Sequence, residues 1–189
     1  MAGFFSKLFG GKEDTAPTST EQSPVQSGGE IVTLGAHLTG TVRELSEVSD
    51  PTFSTGALGP GVAIEPSEGK LYAPADGVLT VAFPTGHAVG IRTDEGLELL
   101  IHIGFDTVEL DGQHFDIKVA KGDIVKRGDL LVEFDVDQIK RAGYEVTTPL
   151  VATNHRRLVT GTSLIDGVST GSQTAHGADL VTFSIDASA

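Results

Sequence analysis

Two histidines fifteen residues apart, His87 and His102, lie in apolar runs on either side of one turn-forming segment. The first run is Thr85-Gly86-His87-Ala88-Val89-Gly90-Ile91-Arg92 and the second is Leu97-Glu98-Leu99-Leu100-Ile101-His102-Ile103-Gly104, with Thr93-Asp94-Glu95-Gly96 between them. Acidic residues plus glycine between two β-prone runs predict a hairpin. With a four-residue loop, Arg92 pairs with Leu97 and His87 falls opposite His102, their Cβ atoms roughly 4.5–5.5 Å apart on one face. A three-residue loop with a glycine bulge shifts the register by one residue, and the rings then meet diagonally.

An imidazole ringed by apolar side chains but reachable from outside can act as general base, metal ligand or nucleophile. Each role needs a partner that fixes its tautomer. Thr85 stands two residues before His87, and on a strand those positions share a face, so its hydroxyl is expected to bond a ring nitrogen of His87. His87 could then donate to a group carried by His102. If that group is a phosphoryl, the second imidazole and nearby backbone N–H groups stabilise its charge. Transfer between nitrogen atoms asks mainly for positioning, so no metal and no cofactor is expected. His37, His114, His155 and His176 lie next to turns or basic residues and are expected to be solvated.

The elements that must position these rings are short. Apolar runs at Ile31–Leu34, Gly61–Ile64, Gly77–Phe83, Ala88–Arg92, Leu97–Ile103, Asp123–Val125 and Leu130–Phe134 alternate with glycine-centred turns. This pattern predicts an all-β chain, an antiparallel sandwich or barrel of short strands with little helix. Only Asp137–Gly143 has a helical look. Gly161–Gly177 is rich in Gly, Ser and Thr and reads as a loop or weak strand before a last strand, Leu180–Ile185.

Three segments are expected. In residues 1–10, Phe4, Phe5, Leu8 and Phe9 recur at helical spacing, which predicts an amphipathic segment able to contact a membrane surface. Residues 11–29 are polar and rich in breakers, the composition of a flexible linker. Residues 30–189 form the folded domain.

Net charge and composition narrow the classes. Thirteen basic residues against 26 acidic ones give −13, which argues against nucleic acid as a partner and suits basic proteins instead. The absence of cysteine excludes disulfides and thiolate chemistry. No apolar run is long enough to span a bilayer and no signal peptide is evident, so a cytoplasmic monomer is expected, peripheral at the inner face of the membrane if residues 1–10 bind it.

The run Glu98-Leu99-Leu100-Ile101-His102-Ile103-Gly104-Phe105-Asp106-Thr107-Val108-Glu109-Leu110-Asp111-Gly112 resembles the active-site signature of the glucose-class enzyme IIA component of the bacterial sugar phosphotransferase system. Four further stretches follow that family's order. They are Asp50-Pro51-Thr52-Phe53 with Leu58 through Pro66, Ala73 through Gly77, Thr85-Gly86-His87-Ala88, and Lys121 through Asp129 with Thr147 through Val151. The likeness covers roughly residues 30–154. His37 departs from it, standing where the family usually has proline, and the segment from Arg156 to Gly177 is longer and more glycine-rich.

The resemblance implies a sandwich of the duplicated hybrid motif type and a phosphocarrier. His102 would accept a phosphoryl group from the histidine of the small carrier HPr and pass it to a cysteine of a IIB domain, with His87 as supporting imidazole and Thr85 orienting it. Phe53, Leu58, Phe83 and Leu100 would form an apolar ring, and Asp106, Val108 and Glu109 the edge that meets partner proteins. Competing readings are a zinc hydrolase of the lysostaphin type, a lipoyl or biotin carrier, and a regulatory binding module without phosphotransfer. The hydrolase wants His-x-His where this chain has His102-Ile103-Gly104, and the carrier wants a lysine flanked by methionine where the single methionine is Met1.

Overall fold

The computed structural model describes residues 29–186. The expectations for residues 1–10 and nearly all of 11–29 lie outside the described residues. Within them the chain forms β1 (Glu30–Gly35), β2 (Gly40–Arg43), α1 (Pro51–Ser54), β3 (Gly61–Pro66), β4 (Lys70–Tyr72), β5 (Gly77–Ala82), β6 (Ala88–Thr93) and β7 (Glu98–His102). It continues through β8 (Phe115–Ile117), β9 (Ile124–Val125), β10 (Leu130–Phe134), α2 (Val136–Arg141), β11 (Thr148–Ala152), α3 (His155–Leu158), β12 (Val159–Leu164), β13 (Gln173–Thr174) and β14 (Asp179–Ile185). Short 3-10 turns at Leu45–Glu47 and Thr107–Leu110 complete it.

The architecture is all-β and antiparallel, with few and short helices. An eight-stranded sheet runs β13-β2-β3-β11-β7-β6-β5-β9, and two three-stranded sheets run β1-β14-β12 and β4-β10-β8. The strands were legible where burial alternates, as in β14, whose Val181, Phe183 and Ile185 are inside while Thr182 and Ser184 are only partly so. β11 carries no such alternation. It lies between β3 and β7 and is buried at every position, so a period-two reading passes over it.

The hairpin that carries the histidines has the shifted register. Thr93 N donates to Leu97 O at 2.9 Å and Gly96 N to Thr93 O at 3.0 Å, leaving a loop of Asp94, Glu95 and Gly96 with Gly96 at φ +91°. Ala88, not His87, therefore faces His102. The four-residue loop is thus corrected to three residues with a left-handed glycine, the conformation that matches the twist of the strands. β6 and β7 insert between β5 and β11, so the hairpin is clamped on both edges.

Helical segments start where their caps dictate. Asp50 accepts from Thr52 N at 2.7 Å and Pro51 occupies the first turn of α1, while Asp135 accepts from Gln138 N at 3.0 Å ahead of α2. The helical look of Asp137–Gly143 corresponds to α2. The Gly, Ser and Thr-rich tail opens with β12 paired to β14 and returns through β13, where Gln173 Nε2 donates to Thr41 Oγ1 at 2.7 Å.

His37 is not solvated. It is fully buried; its Nε2–H donates to Thr148 O at 3.0 Å, and its Nδ1 has no hydrogen-bond partner. Burial pushes its pKa down to about 4, partly offset by the Thr148 bond. The Gly35 and Gly40 turns beside it suggested solvent, but in the bend between β1 and β2 the ring reaches inward to the carbonyl of Thr148 at the start of β11. His114 is exposed, while His155 is half-buried, with Nδ1 3.2 Å from Ala152 O. His176 remains exposed at one edge although its ring stacks on Tyr72 at 3.9 Å.

Candidate functional site

His102 ends β7 half-buried, with Nδ1 2.7 Å from the carbonyl oxygen of Gly104. A carbonyl only accepts, so Nδ1 carries the hydrogen and the neutral ring keeps a lone pair on Nε2. The close turn that brings this carbonyl back needs glycine. Gly104 has φ +72°, and a Cβ there would lie 2.2 Å from Glu145 O and 2.7 Å from Thr107 Cγ2. Thr107 Oγ1 donates to Ile103 O, and Phe105 N to Glu145 O at 3.2 Å, fixing the turn from both sides. The Gly104 carbonyl thereby sets the His102 tautomer.

His87 is buried and immediately precedes β6. Its carbonyl accepts from Ile103 N at 2.7 Å, and Thr85 Oγ1 lies 2.7 Å from its Nδ1. The expected contact is present, but for another reason. Thr85 and Gly86 form the turn between β5 and β6 rather than a strand, and Gly86 at φ +71° folds the hydroxyl back onto the ring. Donation from Thr85 to Nδ1 leaves Nε2–H on His87 as a donor. The two imidazoles stand edge to face, centroids 5.2 Å apart and 63° between planes. Diagonal register combined with the Gly86 turn still brings them together.

The surroundings of both rings favour the neutral form. Burial lowers the pKa of His87, and the neighbouring His102 adds to this. Burial also lowers that of His102, opposed by the Gly104 carbonyl and by the charges of Asp50 and Asp106.

The apolar surround divides in two. Phe53 is buried with its ring 5.9 Å from His102 and 5.8 Å from Phe105, and it belongs to a small core cluster with Leu45, Val48, Ala63, Phe105 and Val151, against which Leu58 and Leu100 pack. Phe83 lies on the other side, 4.9 Å from the His87 ring and 43% exposed. Val108 is 53% exposed on the 3-10 turn beyond Gly104, so it sits on the outer surface. Asp106 at φ 57° begins that turn and reaches His102 only through its charge, and Glu109 accepts from Tyr144 OH at 3.0 Å. Sequence reasoning passed over Asp50, Phe105 and Tyr144. Asp50-Pro51 is a readable helix start, and Phe105 falls inside the quoted signature; nothing in the sequence pairs Tyr144 with Glu109.

Similarity to known proteins first defines the class. The fold is that of a phosphotransferase IIA component. The solved structure of glucose permease IIA from Mycoplasma capricolum matches with a TM-score of 0.73 at 36% identity, over 81% of this chain and 96% of that one. The chain is 51% identical over 150 residues to the beta-glucoside-specific EIIBCA component of Halalkalibacterium halodurans, and 46% identical over 153 residues to that of Bacillus subtilis. These alignments take in 79% and 81% of this chain but 24% and 25% of the relatives, so it spans about a quarter of their length. Residues 32–158 match the family model of the phosphoenolpyruvate-dependent sugar phosphotransferase system, EIIA 1, and the chain belongs to that family.

Proposed function

We propose that the protein relays a phosphoryl group through His102, taking it from the phosphohistidine of HPr and giving it to a cysteine of a IIB domain for sugar uptake. The observation that carries this reading is the Nδ1–H bond to Gly104 O, which leaves Nε2 as the one nucleophilic nitrogen of a neutral ring facing His87. In the forward step the Nε2 lone pair attacks phosphorus as the bond to the donor nitrogen breaks. The phosphoryl arrives with its charge on oxygen, and His87, its Nδ1 bound to Thr85, turns Nε2–H toward it. Release to the next acceptor is the reverse displacement. No metal enters either step.

Phe53, Leu58 and Leu100 support the site from beneath, while Phe83 and Val108 present apolar surface to a partner. Asp106 and Glu109 give the rim its negative charge, matched to a basic partner and consistent with the net charge of −13. Phe4, Phe5, Leu8 and Phe9 fit a membrane contact that would hold a cytoplasmic domain near a membrane-borne IIB partner. Among the described residues no helix is long and apolar enough to cross a membrane. The described residues also contain no group of three or more His, Asp or Glu side chains placed to hold a metal ion. The test is incubation with phosphoenolpyruvate, enzyme I and HPr. A mass increase of one acid-labile phosphoryl group supports the relay, and no increase with an active donor refutes it.

A further inference from the structure

Beside His102 the surface opens into a cleft of about 500 Å³ whose lining includes the carboxylates of Asp50, Asp106, Glu109 and Glu145 and no basic side chain. Two of these carboxylates are held by hydroxyls. Ser49 Oγ donates to Glu145 Oε2 at 3.0 Å, and Tyr144 OH to Glu109 Oε2 at 3.0 Å. The Tyr144 ring packs against the main core, so its hydroxyl is a donor on a fixed mount. Tyr144 lies in the loop between α2 and β11, whereas Glu109 lies on the 3-10 turn that follows Gly104. Next to Tyr144, the carbonyl of Glu145 takes the hydrogen bond of Phe105 N. The two contacts tie this loop to the turn at both ends.

We propose that Tyr144 is a positioning residue for docking: its hydroxyl holds the Glu109 carboxylate at the rim of the cleft, in the orientation that receives a cationic group of the phosphoryl-donor protein. The inference rests on the phosphocarrier reading and adds a residue that acts on encounter rather than on transfer. A glutamate on an exposed turn otherwise samples several rotamers, and ordering it on binding costs part of the ion-pair free energy. An anchored donor meets that cost before the partner arrives. The latch is not placed to affect the chemical step, because the His102 tautomer depends on the Gly104 carbonyl and not on Glu109.

The substitution Tyr144→Phe removes the hydroxyl and keeps the partly buried ring packed against the core. Initial rates of phosphoryl uptake are measured against phospho-HPr concentration for the unmutated protein, Tyr144→Phe, Glu109→Gln and the double variant, at low and high ionic strength. The latch predicts a KM raised roughly three- to tenfold in Tyr144→Phe at low salt, with kcat retained. It also predicts that Tyr144→Phe adds little once Glu109 is Gln, because the bond then no longer orients a charge. An unchanged KM, a loss confined to kcat, or effects of the two substitutions that multiply would overturn the proposal, and an unchanged unfolding midpoint for Tyr144→Phe excludes a folding defect as the cause. Failure of the unmutated protein to take up phosphate at any donor concentration would remove the phosphocarrier reading itself, and this proposal with it.

Discussion

Acid should destabilise the fold through His37, and the size of the effect follows from its burial. The ring is fully enclosed, one nitrogen donates to Thr148 O, and the other has no acceptor within reach, so the protonated form would bury a charge and an unmatched N–H together. In the unfolded chain its pKa is the ordinary 6.5, and in the fold it is about 4. Below 6.5 the unfolded state binds a proton that the folded state refuses, so stability falls with pH through this window and levels off once both states are protonated below about 4. A difference of 2.5 pKa units corresponds to about 3 kcal/mol, a large share of the stability of a small domain. His37→Gln keeps a donor for Thr148 O and removes the titration. Urea unfolding of both proteins at pH 7.5, 6, 5 and 4 isolates the group, because other ionisations cancel in the difference. The unmutated protein should lose about 3 kcal/mol relative to His37→Gln between pH 7.5 and pH 4. A difference independent of pH would refute the assignment of a buried neutral ring.

Three further outcomes are expected. Gly104→Ala places a Cβ at φ +72° and 2.2 Å from Glu145 O, so it should cost about 2–4 kcal/mol by urea unfolding and slow uptake by displacing the carbonyl that holds His102 Nδ1; an uptake rate equal to the unmutated protein would separate the turn from the tautomer. Because burial lowers the pKa of His102 and attack needs the unprotonated ring, the fall in uptake rate with falling pH should have its midpoint below 6.5, and a midpoint above 6.5 would contradict a desolvated acceptor. Deleting residues 1–10 should leave uptake from soluble HPr intact while abolishing flotation with anionic vesicles, and equal flotation of the two proteins would eliminate the membrane contact.

Much of the site was readable because its parts are local. Apolar runs on both sides of Asp94-Glu95-Gly96 fix a hairpin, and Thr85 two residues before His87 was close enough in the chain to point to their contact, although the Gly86 turn and not a strand makes it. The register was not readable to the residue. Three- and four-residue loops use the same amino acids, and the choice depends on whether Thr93 closes onto Leu97, a hydrogen bond set by the twist of strands clamped between β5 and β11. His37 was misplaced because its neighbours are small and turn-like, whereas its hydrogen-bond partner in the interior, Thr148, lies 111 residues away. The same holds for β4 and β8: Lys70-Leu71-Tyr72 and Phe115-Asp116-Ile117 are too short to show a period, and they become strands by pairing with β10. The Tyr144–Glu109 contact joins two loops, and neither carries a pattern that points to the other.

The central claim is that His102, and not His87, carries the phosphoryl group. Its most direct test is localisation of phosphohistidine by tandem mass spectrometry, under alkaline conditions, after reaction with phosphoenolpyruvate, enzyme I and HPr, on the unmutated protein, His102→Ala and His87→Gln. The geometry at Gly104 and Thr85 predicts one phosphoryl group on His102, none on His102→Ala, and retained labelling of His87→Gln with slowed transfer to the IIB partner. Label on His87, or a labelled His102→Ala, would contradict it.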